Sequence, residues 1–157
     1  MKWNAVWLLA LLSLARCTAA AQSSGVEGDW RDPTGSIIRI APCGPHVCLW
    51  LVSLSPHAPS TTDVHNPEPG QRSRALCELE IGSGFTLRDP DHAAGGTLYD
   101  PKSGKTYHGA MTVERTAEGS KLELRGYVGI PLFGASQTWT RVTEPVHACA
   151  VAGAARN

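Results

Sequence analysis

Gly28-Asp29-Trp30 opens the folded part of the chain, and Thr138-Trp139-Thr140-Arg141 closes it. A Gly-x-Trp on a first strand, matched by a basic residue on a last strand, is typical of small up-and-down β-barrels that seal one end. We predict that the ring of Trp30 plugs the barrel floor, with Arg141 stacked on it and Trp139 nearby. Stacking of a guanidinium on an aromatic face contributes about 0.5–2 kcal/mol. These motifs therefore predict an architecture and carry no chemistry of their own.

Short alternating stretches and turn signals follow one another between these ends. Asp32-Pro33-Thr34-Gly35 and Asp100-Pro101-Lys102-Ser103-Gly104 place Pro and Gly where turn geometry favours them. Gly82-Ser83-Gly84 indicates a kink or bulge. The expected strands are 26–31, 36–41, 46–54, 76–87, 95–99, 105–115, 121–128 and 136–142. This pattern favours an antiparallel barrel or sandwich, and with the paired ends it predicts an all-β, roughly eight-stranded antiparallel up-and-down barrel over residues 22–143.

The first 21 residues have the pattern of an export signal. Lys2 supplies a positive charge, an apolar run extends from Ala5 to Ala15, and Ala19-Ala20-Ala21 offers small residues for cleavage before Gln22. The run is shorter than the roughly 20 apolar residues that cross a bilayer. We therefore predict a signal peptide over 1–21 and a periplasmic or secreted protein.

A lipid anchor is the alternative use of this leader. Leu14-Ala15-Arg16-Cys17 partly matches a lipobox, but the bulky charged Arg16 directly before the cysteine argues against lipidation. No later segment is apolar enough to span a membrane, so we expect no transmembrane segment.

The charge balance gives no electrostatic signature for a polyanionic partner. The leader carries Lys2 and Arg16 of the 14 basic residues and none of the 14 acidic ones, so the remaining chain has a net charge of about −2. We therefore expect no nucleic-acid partner and no attraction to anionic membranes through a basic surface.

Four cysteines remain after the leader, an even number in a chain predicted to be exported. Cys43 and Cys48 flank a four-residue turn, so we predict a disulfide across that hairpin. Cys77 and Cys149 are the remaining pair and would tie down the predicted flexible tail, 144–157. The alternative left open is a buried free thiol at Cys77 and a loose Cys149.

One long segment, 55–73, interrupts the regular spacing of strands and is rich in proline and polar residues. A loop of this length in a compact domain is usually a lid, a binding loop or disorder. As a lid over the barrel mouth, it would use Asp63 and Asn66 as acceptors and Arg72 and Arg74 to hold an anion. The alternative is that these groups bond to one another and cap the sheet edge.

The wall of the barrel offers two further candidate ligand contacts, Tyr107 and Gln137, which would reach towards the mouth from their strands. Glu123, Arg125 and Tyr127 share one strand face, which we interpret as an exposed face with a cross-strand ion pair. The chain has no Gly-x-Ser-x-Gly, no His-Glu-x-x-His and no phosphate loop. We predict no catalytic residues, no cofactor and no metal site.

Several motifs together resemble a bacterial family of exported proteins called domain of unknown function 2147. They span nearly the whole domain: Gly28-Asp29-Trp30, Cys43 to Cys48, Asp63 with Asn66-Pro67, Arg72-Ser73-Arg74, Tyr99-Asp100-Pro101, Gly104-Lys105-Thr106-Tyr107, Arg125-Gly126-Tyr127-Val128-Gly129, Phe133-Gly134 and Gln137-Thr138-Trp139-Thr140-Arg141. The resemblance implies a small lipocalin-like barrel in the bacterial envelope and no assigned activity. The chain departs from the usual pattern at Leu49 and Glu78, where glycine is common, and at Ala93-Ala94.

Three functional classes follow from these observations. The first is an envelope binding module that holds a small amphipathic or anionic molecule at the barrel mouth. The alternative is a structural or interaction protein of the envelope with a filled barrel, whose partner is another envelope protein. An enzyme ranks last, because no motif supports one.

Overall fold

The computed structural model describes residues 25–146 and Cys149. It has eight strands: β1 Gly28–Arg31, β2 Ile37–Cys43, β3 His46–Ser53, β4 Glu80–Asp89, β5 His92–Asp100, β6 Lys105–Thr116, β7 Gly119–Tyr127 and β8 Gly134–Val142. Each strand pairs antiparallel with the next, and β8 pairs with β1, so the sheet is a closed barrel. The predicted fold class is confirmed. The predicted leader, 1–21, and most of the predicted tail, 144–157, lie outside the described residues.

The two largest differences from the predicted strand boundaries, at the starts of β4 and β5, have identifiable reasons. β4 begins at Glu80 and not at Leu76, because the amide of Glu78 bonds to Leu51 O at 2.8 Å and the segment before it belongs to the loop. β5 begins at His92 and not at Gly95, because the turn before it is short. The predicted bulge is present, since the register between β3 and β4 shifts where Gly84 adopts φ +74°.

The inner face of the barrel is packed with large apolar side chains over much of its height. Phe85 is fully buried, and its ring lies so close to Gly96 and Gly109 that a Cβ on either glycine would collide with it. The remaining members of the buried cluster are Val26, Trp30, Ile38, Ile40, Val47, Leu49, Leu51, Leu76, Ala93, Leu98, Met111, Val113, Leu122, Leu124 and Trp139. Burial of such side chains is the main favourable term in folding.

The two ends of the barrel carry different connections. The closed end is defined here by residues 25–27, which lead into β1, and by the short turns at 44–45, 90–91 and 117–118. The open end carries the other four connections: 32–36, the long loop 54–79, the turn 101–104 and the β7–β8 connection 128–133.

Both cysteine pairs are joined. Cys43 and Cys48 lie 5.8 Å apart between Cα atoms, and Cys77 and Cys149 lie 5.6 Å apart. The amide of Cys149 also donates to Val52 O at 2.6 Å, which brings this residue against the end of β3. The second pairing, one of two alternatives at the level of sequence, is therefore the one that the fold adopts.

Candidate functional site

Trp30 and Arg141 form the floor of the closed end. Trp30 is fully buried, and Arg141 Cζ lies 4.1 Å from the centroid of its ring, the stacked arrangement that the motifs predict. β1 and β8 place the two residues directly opposite one another. Trp139, on the same inner face of β8, is 3% exposed and completes this packing.

The segment 25–27 crosses the closed end and is held by Arg141. The guanidinium donates to Glu27 O at 2.9 Å and to Gly25 O, while Trp30 Nε1 donates to Val26 O at 2.9 Å. Burial lowers the pKa of Arg141, and the nearby charge of Arg115 lowers it further. An arginine retains its charge at neutral pH despite such shifts, so it serves here as a permanent donor to backbone carbonyls.

The glycine of the Gly-x-Trp motif is required by this arrangement. Gly28 has φ +126°, a conformation that side chains disfavour, and a Cβ there would collide with the guanidinium of Arg141. The motif therefore combines a backbone constraint with a buried ring.

A second cluster, the Asp63 cluster, consists of Asp63, Asn66, Arg74 and Tyr99 at the open end. The carboxylate of Asp63 is fully buried and accepts from Tyr99 Oη at 2.7 Å, Asn66 Nδ2 at 2.7 Å and Arg74 Nε at 2.9 Å. Arg74 Nη2 lies 2.8 Å from the same carboxylate, and Arg74 Cζ lies 5.4 Å from the centroid of the Tyr99 ring. A buried charge is tolerated only when it is paired and hydrogen-bonded, as this one is.

The electrostatics of the cluster follow from these contacts. Burial by itself would raise the pKa of Asp63, but hydrogen bonds from Asn66, Tyr99 and Arg74, together with the charge of Arg74, outweigh it and hold the pKa below its usual value. Burial raises the pKa of Tyr99, and so does its bond to the Asp63 carboxylate. Asp63 is therefore ionised and Tyr99 is a neutral donor at neutral pH.

The Asp63 cluster fastens the long loop to the outside of the barrel wall. Leu98 packs in the core, so the neighbouring Tyr99 projects from the opposite face of β5. His65 O lies so close to Gly104 that a side chain there would collide with it, which places the loop against the β5–β6 turn as well. Arg72 is exposed and donates through Nε to Asn66 O at 2.9 Å.

Of the six candidate ligand contacts, the structure brings four together and places two elsewhere. Asp63, Asn66, Arg72 and Arg74 share the loop contacts described above, whereas Tyr107 and Gln137 lie on the wall.

Tyr107 and Gln137 belong to the inner face of the open end, where small residues surround them. Gln137 lies two residues from Trp139 on one face of β8, and its Oε1 accepts from Trp139 Nε1 at 3.2 Å. Ala135 lies two residues further towards the open end, opposite Gly126 of β7. Both Ala135 and Gln137 are exposed although they face inward. The inner-face positions Tyr107, Gly126, Ala135 and Gln137 mark the part of the inner face above Trp139 where Ala135 and Gln137 are open to solvent, and this part is called the recess below.

Sequence reasoning missed two parts of this arrangement. Tyr99 is a partner of Asp63 across 36 positions, and no local spacing predicts that contact. Ala135 and Gly126 are small and unremarkable in sequence; only the alternation of β7 and β8, counted from Leu124 and Trp139, would have placed them on the inner face.

The closed end carries an open depression of about 420 Å³ beside Arg39 and Arg141. Arg39 is engaged by both oxygens of Asp29, at 2.7 and 2.8 Å, and Arg141 by backbone carbonyls. Both arginines beside this depression therefore already have partners within the protein. Among residues 25–146 and Cys149, no group of three or more His, Cys, Asp or Glu side chains could hold a metal ion. The described part of the chain also contains no helix that is long and apolar enough to span a membrane.

A closed, eight-stranded, antiparallel up-and-down barrel with a Gly-x-Trp floor and an arginine above it defines a lipocalin-like protein. The structure is similar to HP1028 from the human pathogen Helicobacter pylori, described as belonging to the lipocalin family, with a TM-score of 0.67, 19% identity, and coverage of 77% of this chain and 85% of that one. This likeness shows the fold.

The chain belongs to the family described as an uncharacterized protein conserved in bacteria, DUF2147, which matches residues 28–141. The family resemblance noted in the sequence is therefore confirmed. No curated protein matches the chain.

Proposed function

We propose that this protein is an exported binding module that holds a small amphipathic or anionic molecule in the recess at the open end. The observation that carries the proposal is the exposure of Ala135 and Gln137 on the inner face, next to the buried Trp139. The inner face is filled around Phe85 and Trp30 and is accessible to solvent at this point. An eight-stranded barrel can be filled by side chains or can hold one small ligand, and the recess offers the space for the second.

The residues of the recess suit an amphipathic molecule. Ala135 and Gly126 leave room for an apolar body above Trp139, while Gln137 and the Tyr107 hydroxyl supply hydrogen bonds. Ligand pockets commonly combine apolar walls with a small number of polar groups that fix orientation.

The loop residues have two proposed roles. Asp63, Asn66 and Arg74 order the long loop, because their charges and hydrogen bonds are largely satisfied among themselves. Arg72 is exposed and donates to a carbonyl, which does not neutralise its charge. We propose that Arg72 supplies the cation for an anionic group of the ligand.

Export is part of the proposal. The predicted leader argues for it, and the two disulfides are compatible with an extracytoplasmic location. A binding role is proposed in preference to catalysis, because Asp63 and Tyr99, whose pKa values are both shifted, are bonded to each other and hold the long loop on β5.

The first experiment fills the recess. The anionic amphipathic dye 1-anilinonaphthalene-8-sulfonate is titrated into the protein, and energy transfer from tryptophan reports binding near Trp139. We expect Ala135→Phe to weaken binding about tenfold or more, because a phenyl ring would occupy the space of the ligand. Thr138→Phe, on the outward face of the same strand, is the matched control and should bind like wild type. Equal titration curves for both variants would reject the recess.

The second experiment tests whether Arg72 supplies the positive charge that binds an anionic ligand. Arg72→Ala should weaken binding of the sulfonate dye about threefold and leave the neutral dye N-phenyl-1-naphthylamine unaffected. Arg88→Ala, which removes an exposed arginine from β4, is the control. Native mass spectrometry of protein purified without detergent then identifies any molecule that the cell supplies.

The alternative, a structural or interaction protein of the envelope, draws support from the filled part of the interior. Phe85, Met111 and Trp30 are fully buried in that part of the interior. A protein that binds neither dye and carries no co-purified molecule would favour this alternative.

A further inference from the structure

The β7–β8 connection exposes a concentration of apolar surface. Its residues 128–133 are called the apolar tip here, and Val128, Ile130, Leu132 and Phe133 within it are 68%, 53%, 76% and 74% exposed. From Gly126 to Ala135 the only ionisable side chain is that of Tyr127. Exposed large apolar residues are ordinary when scattered singly, but four in one loop indicate an interaction site.

Part of the backbone of the apolar tip is hydrogen-bonded within the protein. Arg125 donates through Nε to Pro131 O at 2.8 Å and through Nη2 to Leu132 O at 3.4 Å, while its Nη1 donates to Ser136 Oγ at 3.1 Å. The amide of Phe133 donates to Ile130 O at 3.1 Å. A loop can enter a hydrocarbon environment only if its backbone polar groups have partners of their own. In the tip, Ile130 O, Pro131 O, Leu132 O and the amide of Phe133 have such partners, and the large apolar side chains are exposed.

The residues behind the tip match the polar boundary of a membrane. Tyr127 precedes the tip, and its ring lies 5.7 Å from that of His108 between centroids. Arg125 lies beside them on the same outward face of β7. Tyrosine and arginine are well suited to the headgroup level, because each combines an apolar body with a polar end. An apolar wedge followed by this polar, aromatic set is the profile of an interfacial anchor.

We propose that the apolar tip inserts into the interfacial layer of a phospholipid bilayer and directs the open end of the barrel towards it. The attraction is apolar, because residues 128–133 carry no charged side chain and the chain after the predicted leader is slightly acidic. Binding should therefore be similar for zwitterionic and anionic vesicles and insensitive to salt. The proposal does not depend on a ligand in the recess.

The test uses the whole protein and phosphatidylcholine vesicles. Phe133→Trp places a fluorophore at the tip, and vesicles with brominated acyl chains should quench it. Leu87→Trp is the matched control, because Leu87 is a 39% exposed apolar residue on β4, and its fluorescence should not respond. In flotation, the double variant Leu132→Ser/Phe133→Ser should bind vesicles about tenfold less than wild type. Val64→Ser/Leu87→Ser should bind like wild type.

Each other outcome overturns the proposal in a distinct way. If the wild-type protein does not float with any vesicle, the apolar tip does not bind membranes. If binding requires phosphatidylglycerol and disappears in salt, the protein binds the membrane by electrostatic attraction and not through the apolar tip. A dimer in sedimentation velocity that Leu132→Ser/Phe133→Ser dissociates, without vesicle binding, assigns the tip to a second copy of this chain.

Discussion

Both ends of the barrel contain an arginine beside an aromatic ring, and the two pairs have different structural roles. At the closed end, Arg141 lies 4.1 Å from the Trp30 ring centroid; at the open end, Arg74 lies 5.4 Å from that of Tyr99. Arg141 donates to backbone carbonyls, whereas Arg74 is paired with the buried carboxylate of Asp63.

The difference lies in which group is buried. At the closed end the ring is the buried element, so apolar packing supplies the stability and the arginine covers it. At the open end the carboxylate is the buried element, so stability depends on keeping that charge paired. The closed end should therefore resist changes of pH, while the open end should respond to acid. The same pair of residue types closes a barrel in one place and orders a loop in the other.

The largest expected effect concerns the apolar packing at the closed end. Trp30→Ala should lower the free energy of unfolding by about 3–5 kcal/mol, because it empties the floor of the barrel. Chemical denaturation at neutral pH measures the loss. Trp50→Ala, at a half-buried position on the outward face of β3, is the control and should cost less. A loss of unfolding free energy below about 1 kcal/mol would show that the Trp30 ring does not stabilise the closed end.

The second largest expected effect concerns the buried charge of Asp63 at the open end. Asp63→Asn should cost about 2–3 kcal/mol, because it leaves Arg74 without its carboxylate. The loop should also become open to proteolysis while the barrel stays folded. Limited proteolysis combined with denaturation measures both. Asp32→Asn, in the exposed turn before β2, is the control. Unchanged loop protection in Asp63→Asn would mean that the loop is held by other contacts.

The pH dependence separates the two ends directly. The pKa of Asp63 is lowered in the folded protein, so its contribution to stability is fully present above the unfolded value of about 4 and is lost as pH falls through the folded pKa. The stability gap between wild type and Asp63→Asn should therefore narrow between pH 7 and about pH 3. The gap for Arg141→Lys should stay constant over that range, because both side chains remain charged.

A gap for Asp63→Asn that is the same at both pH values would contradict this account. Asp63 would then act through its shape and hydrogen bonds, with no contribution from its charge.

The smallest expected effect concerns strain at the exit of the long loop. Glu78 has φ +59°, a left-handed conformation that costs a side chain about 1–2 kcal/mol. Glu78→Gly should raise the free energy of unfolding by less than about 1 kcal/mol, because the added chain entropy offsets part of the relief. Glu78→Ala should bring no such gain. Destabilisation by Glu78→Gly would show that the Glu78 side chain stabilises the open end.

Local pattern and motif were sufficient for the fold. Alternation at Ile38 and Ile40 and the two Asp-Pro turns depend only on neighbouring residues, so the strands could be predicted with boundary errors of a few positions. The largest errors fall at Leu76, where the loop and the Cys77 disulfide precede the strand, and at His92, where the preceding turn is short. The closed end was also predictable, because its motif combines a glycine conformation, a buried ring and a cation in fixed places.

The open end was only partly predictable. The sequence placed Asp63, Asn66, Arg72 and Arg74 in one loop, with their mutual bonding as one of two alternatives. It could not show that Tyr99 completes the cluster from β5. Arg125 shows the same limit, since the structure gives it bonds to the Pro131 and Leu132 carbonyls where a cross-strand ion pair was predicted.

The sequence by itself determined the period-two strands and the end motif, because each depends on residues close together or on a fixed geometric requirement. Only the tertiary structure decided that Cys77 pairs with Cys149, that the Asp63 cluster lies on the outer wall, and that Ala135 and Gln137 face an accessible recess. Those facts depend on strand register and closure, which bring together residues far apart in the chain through packing that no local pattern encodes.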